Sequence, residues 1–117
     1  MNVRIKRVYE PQSDEDGQRV LVDRLWPRGL TKERAGIDLW LRDIGPSTEL
    51  RKWFGHEPGR WKEFQKRYRD ELTKNAGSLS ILKREAERGP VTLLFGAKDE
   101  EHNEAVVLCS MLKDTAA

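Results

Sequence analysis

Apolar and charged residues alternate at the start of the chain, where Arg4 and Lys6 separate Val3, Ile5 and Val8. A period of two predicts a strand with one face inward and a basic opposite face. The run PQSDEDGQ, from Pro11 to Gln18, holds turn formers and acids without an apolar anchor, which predicts an exposed loop. From Arg19, RVLVDRL is apolar and β-branched enough for a buried second strand. Pro27 and Gly29 then stop it and force a tight turn that carries Trp26 and Arg28. IDLWL, at 37–41, is too short to separate a third strand from a turn of helix.

Helical periods follow. Ser47 can cap TELRKWF, with Gly55 available as the stop. From Pro58 to Asn75, Trp61, Phe64, Tyr68 and Leu72 recur at steps of three and four and form one stripe, with Pro58 suited to the first turn and Gly77 to the stop. Ser78 then caps LSILKREAER, setting Leu79, Leu82 and Ala86 on one side until Gly89 and Pro90. VTLLFG, from Val91 to Gly96, reads as a central strand buried on both faces. After it a terminal helix beginning near Asp99 turns Ala105, Leu108, Cys109 and Leu112 inward.

Strands separated by helices predict an α/β fold: a small Rossmann-like three-layer sandwich with a mostly parallel sheet, in a single domain over residues 1–117. Composition agrees with a folded chain. Hydrophobic residues make up 37% and charged ones 36%, so the mean hydropathy of -0.79 reflects segregated faces; four Trp, three Phe and two Tyr supply bulky anchors. With 22 basic against 20 acidic residues, no whole-molecule field points to nucleic acid. One cysteine excludes an internal disulfide framework and fits a reducing, cytoplasmic compartment. The first residues, MNVRIKRVYE, have no signal-like apolar stretch, and nowhere do about eighteen apolar residues run together as a membrane span requires.

Ligands of open parallel sheets usually lie beyond the carboxyl ends of the strands, which directs attention to two loops. In DRLWPRG, from Asp23 to Gly29, Arg24, Trp26 and Arg28 follow a buried strand in a turn stiffened by proline. Arginine forks hold phosphate or carboxylate, and tryptophan stacks on a base or a guanidinium. In GAKDEEHN, Gly96 and Ala97 allow close approach of the backbone, Lys98 adds charge, and a helix starting near Asp99 would aim free N–H groups outward. Asp99 and His102, three residues apart, would share a helical face as an acid and base pair.

The stretches RVLVDRLWPRGL, PSTELRKWFGHEP with a following RW and RY, and LLFGAKDEEHNEAVVL carry a likeness over nearly the whole chain. The chain resembles the YeaO-like members of a bacterial group catalogued as domain of unknown function 488. The resemblance implies an α/β fold with one shared polar site, and Arg24, Trp26, Arg28, Arg51, His56, Lys98, Asp99, His102 and Asn103 fall in its most distinctive motifs. It implies no particular reaction. Some members carry regulator labels, whereas this chain has no helix-turn-helix pattern with a basic recognition helix.

Each candidate has a structural alternative. Arg24 and Arg28 could pair with Asp23, Asp43 or an acid of the last helix; Trp26 could be a packed anchor; Arg51 could be solvated. His56 could close the preceding helix, and Asp99 could cap the next one while His102 bonds the loop. A metal site built from His56, Glu57, Asp99 and His102 lacks any HExxH-like spacing. Cys109 reads as packing, no serine sits in a nucleophile elbow, and no GxGxxG or Walker loop specifies a cofactor. The leading expectation is a site for a small anionic ligand, phosphate- or nucleotide-like, with His102 and Asp99 as catalytic candidates for hydrolysis or group transfer. Arg24, Trp26, Arg28, Arg51, His56, Lys98 and Asn103 would bind it. The alternative is a non-catalytic, regulatory module that binds protein or nucleic acid through the arginine-rich helix from Arg60 to Arg69, and exposed tryptophans could also drive a dimer.

Overall fold

The computed structural model describes residues 1–115. Four strands, β1 (Val3–Arg7), β2 (Gln18–Leu21), β3 (Leu39–Trp40) and β4 (Val91–Phe95), form one sheet in the order β1-β4-β2-β3, parallel at every pairing. Five α-helices accompany them: α1 (Lys32–Ala35), α2 (Thr48–Phe54), α3 (Trp61–Lys74), α4 (Ala76–Arg88) and α5 (Glu104–Thr115).

The pleat divides the core. Val3, Val20, Val22, Val91, Leu93 and Phe95 turn to one side and pack with Phe54, Phe64, Tyr68, Leu72, Leu82, Ala105 and Leu108 of the longer helices. Val8, Leu21 and Leu94 turn to the other and meet Ala35 of α1, with Leu30, Ile37 and Trp40 around them. The result is a three-layer α/β sandwich whose second cover is thin. β4 is buried at all five positions because it is paired on both edges and covered on both faces.

Local chemistry accounts for most boundaries. Ser47 Oγ accepts the Leu50 N–H at the start of α2, and Gly55 closes its end with φ 53°. Phe64, Tyr68 and Leu72 form the buried stripe of α3, and the Tyr68 hydroxyl donates to the Ile44 carbonyl at 2.7 Å. IDLWL resolves into the short β3 because the Leu41 N–H and the Leu21 carbonyl continue the pairing with β2 at 3.0 Å.

Four expectations are corrected. Residues 11–18 are not wholly an exposed loop: Asp16 is buried in a short helical turn and Gln18 already belongs to β2, which ends at Leu21 rather than running to Leu25. Gly77 does not stop the long helix, nor does Ser78 cap the next. The break falls at Asn75, whose side-chain amide donates to the Asp43 carbonyl at 2.7 Å, and Gly77 lies in the first turn of α4. The terminal helix begins at Glu104 instead of Asp99. Among the described residues no helix is long and apolar enough to cross a membrane.

Candidate functional site

β2 and β4 are adjacent and parallel, so the loops leaving their carboxyl ends emerge side by side although some seventy residues separate them in the chain. A hydrogen bond joins the loops directly, from Gly96 N to Asp23 Oδ2 at 2.8 Å. A side chain at position 96 would crowd that oxygen, since its Cβ would lie 3.1 Å away; the close approach that this glycine permits is to Asp23. Arg7 of β1 fixes the second loop from behind, donating from Nε to the Ala97 carbonyl at 2.9 Å.

Between the loops lies a cleft of ≈ 490 Å³. One wall comes from Arg24 and Arg28 after β2 and from Arg51 and His56 around α2; the other comes from Gly96, Ala97, His102 and Asn103. Phe54, Phe64 and Pro46 add an apolar floor, and Leu25, 62% exposed, stands at the lining. Arg24 is braced: its Nε donates to the carbonyls of Gly45 at 3.0 Å and Pro46 at 2.7 Å. Gly45 makes room for it, because a Cβ there would lie 3.0 Å from Arg24 Cγ. Among the described residues neither Arg24, Arg28 nor Arg51 forms an ion pair with a carboxylate. The pairing with Asp23, Asp43 or the last helix is therefore not what holds them.

His56 reaches the cleft from an unusual backbone, the one non-glycine residue with positive φ (58°) among those described. The end of α2 is closed by the Gly55 and Glu57 N–H groups, and the imidazole makes no hydrogen bond to any described residue.

Three candidates lie outside the lining. Trp26 is an anchor: its Nε1 donates to the Leu30 carbonyl at 2.7 Å and its ring meets Trp40 edge-on at 5.4 Å. Lys98 is exposed and does not line the cleft. Asp99 stands behind His102, its Oδ2 2.8 Å from Nδ1. The two do not share a helical face. Asp99 Oδ1 instead accepts the N–H groups of Glu101 and His102 in a tight turn, and Asn103 Oδ1 receives the Val106 N–H where α5 begins.

The hydrogen bond from Glu101 N, and then the one from His102, hold the Asp99 carboxyl below its usual range. It therefore stays ionised at neutral pH and offers Oδ2 as an acceptor to Nδ1. Trp61 sits edge-on to the imidazole at 5.2 Å. Among the described residues no three His, Cys, Asp or Glu side chains gather as a metal would require.

Asp23 was not singled out by sequence reasoning except as a partner for arginines, although its place directly after the apolar run VLV marks the carboxyl end of a buried strand. Burial pushes its carboxyl up to about 6, against the Gly96 hydrogen bond and the nearby Arg51 charge, which pull down. The folded protein therefore holds a proton that the unfolded chain releases near pH 4. The stability this confers is complete below that pH and is lost as pH rises through about 6. Asp23→Asn is expected to remove a loss of about 2–3 kcal/mol between pH 4 and 7. Urea unfolding of both proteins across that range checks it, and parallel pH profiles would contradict the assignment.

The family described as "Inactive DUF488-N3 subclade" matches residues 2–117. The chain is 43% identical over 113 residues to "Uncharacterized protein YeaO" of Escherichia coli K12, covering 97% of this chain and 98% of that protein. It is 42% identical over 110 residues to "Uncharacterized protein Rv3073c" of Mycobacterium tuberculosis H37Rv, covering 94% and 92%. No solved structure matches it. Matches of this length extend the likeness from the loop motifs to the whole sheet and its helices, and the chain belongs to the YeaO-like DUF488 family, in the subclade described as inactive.

Proposed function

We propose that the cleft beyond the carboxyl ends of β2 and β4 binds a small anionic molecule, phosphate- or nucleotide-like, as ligands of Rossmann-like sheets bind. The observation that carries this reading is the state of the arginines. Three line one hollow, and no described carboxylate neutralises them within ion-pair distance. Guanidinium groups that share one cleft favour an anion there, and their forks suit its oxygens.

A hydrolase or transferase reading would use His102 as base with Asp99 orienting it. Two considerations support reading the cleft as a binding site first. No described lining residue carries a hydroxyl or thiol that could serve as a nucleophile, and the family's description is of an inactive subclade. The free thiol of Cys109 suits a reducing, cytoplasmic setting. The nucleic-acid and protein-binding reading draws on α3, where Arg67 stacks on Trp53 at 4.2 Å and pairs with Glu63, Arg60 lies over the same ring, and Arg69 donates to Ser110. Those cations already serve the protein itself, so they lend that reading less support.

Thermal unfolding with phosphate, a nucleoside monophosphate and a sugar phosphate tests the proposal. At a hundredfold excess over Kd a bound ligand adds about 2.7 kcal/mol, a shift of several degrees. Arg28→Ala and Arg51→Ala are each expected to weaken binding about tenfold or more, by removing a charged hydrogen bond of roughly 1.5–3 kcal/mol. No shift with any of these ligands, or equal shifts in wild type and both variants, would refute it.

A further inference from the structure

We infer that the cleft selects oxyanions that carry an exchangeable proton, phosphate and its monoesters, over permanently deprotonated ones such as sulfate, and that Asp23 makes the selection. The inference rests on the anion-binding reading above and narrows it to a ligand class.

Asp23 is a carboxyl group inside an arginine-lined cleft. Its Oδ2 is held by Gly96 N, whereas Oδ1 takes no hydrogen bond from any described residue. No described side-chain polar atom is both buried and without a partner, so Oδ1 is open to the cleft that Asp23 lines. An open carboxylate oxygen beside Arg24 and Arg51 would be an odd companion for an anion that can only accept hydrogen bonds, since two sets of lone pairs would face each other. A P–O–H group reverses the sign. It donates to Oδ1 and turns the repulsive neighbour into the acceptor of a charge-assisted hydrogen bond, while the remaining phosphate oxygens stay free for the guanidinium forks.

The proton is well placed to be shared. Inorganic phosphate brings the proton with it at pH 7.5, whereas a monoester, whose second ionisation lies near 6, close to where burial sets Asp23, takes one up from water as it binds. The other titratable groups on the elements around Asp23 are otherwise disposed. Tyr68 donates to Ile44, Glu71 accepts from Ser47 N and Oγ, and Asp99 occupies His102 Nδ1. His56 supplies no carboxylate. Glu104 lines the cleft as a second carboxylate and serves as the control.

Calorimetric titration at pH 7.5 and low ionic strength, with inorganic phosphate and with sulfate, tests the inference. Wild type is expected to prefer phosphate by about tenfold or more, the worth of one charge-assisted hydrogen bond. Asp23→Asn should reduce the preference to within about threefold by gaining affinity for sulfate, because its amide oxygen keeps the Gly96 N–H while its NH₂ donates to either anion. A gain of sulfate binding cannot come from a damaged fold. Glu104→Gln should retain the preference. In wild type alone, lowering the pH to 5 should narrow the preference, since a protonated Asp23 donates to both anions.

Equal affinity of wild type for both anions at pH 7.5 would overturn the selection and leave the anion site standing. A preference that survives Asp23→Asn would remove Asp23 from the role. Failure of wild type to bind either anion would overturn this inference together with the binding reading.

Discussion

Asp16→Ala is expected to destabilise the protein by about 3–5 kcal/mol, the usual cost of stripping one partner from a buried ion pair. Asp16 is 3% and Arg19 4% exposed, and Arg19 NH1 meets Asp16 Oδ2 at 2.5 Å. Two further guanidinium hydrogens go to backbone: NH2 to the Ala35 carbonyl and Nε to the Gly36 carbonyl, each at 2.9 Å. Lys6 and Ser13 N complete the carboxylate's partners at 3.1 Å. Without Asp16 the Arg19 charge is left among neutral carbonyls, out of reach of water. Removing both charges, as in Asp16→Ala with Arg19→Met, should recover a large part of the loss.

The pH dependence has the opposite sign to that of Asp23. Burial disfavours the charged Asp16 carboxylate, but the hydrogen bonds from Ser13 N, Lys6 and Arg19 overcome it and hold the pKa below its ordinary value. Its contribution is therefore present above about pH 4 and disappears as pH falls through the lowered folded value. Urea unfolding at pH 7 and pH 3 measures both effects. A loss under about 1 kcal/mol at pH 7 would mean that the pair contributes no more than an exposed one.

Gly17→Ala is expected to cost at least about 3 kcal/mol, from backbone strain and collision together. Gly17 has φ 63° and ψ -137°, a region essentially restricted to glycine. An added Cβ would lie 2.3 Å from the Pro90 carbonyl oxygen and 2.7 Å from Pro90 Cβ. That same carbonyl accepts the Gln18 N–H at 3.0 Å and sets the first rung of the β2–β4 pairing, so relief of the clash requires the two central strands to part. Gly29→Ala isolates the steric component. Gly29 also has positive φ (82°) but meets nothing within 4 Å, so its substitution should cost about 1 kcal/mol of strain. Comparable losses at the two positions would remove the collision from the explanation.

The cleft depends on the same rung. Once Gln18 pairs with Val91, Leu21 pairs with Leu94, and the chain leaves β2 and β4 at matching heights. Asp23 then lies against Gly96, and the arginines after β2 face His102 and Asn103 across the gap. Damage at Gly17, at the amino end of the sheet, should therefore reach the cleft by changing strand register and not by altering any residue that lines it.

Wherever a segment's identity depends on its own pattern, the chain announced it. β4 is legible as four apolar residues and one β-branched threonine between Gly89-Pro90 and Gly96, α2 through Ser47 and Gly55, and α3 through its stripe. A face that must be buried repeats at the period of its own backbone. Competing local signals hid the rest: acids at 99–101 suit a helix start and an Asx turn equally, and only the turn leaves Asn103 to cap α5. The arginines stood out because a stiff turn after a buried strand is readable locally.

Their setting was not. Asp23 opposite Gly96, Asp16 with Arg19 beneath the backbone of α1, and Trp26 folded against Trp40 all follow from β4 inserting between β1 and β2. That choice is the outcome of contacts summed over the whole core, between positions far apart in the chain, and no stretch of residues read alone contains it.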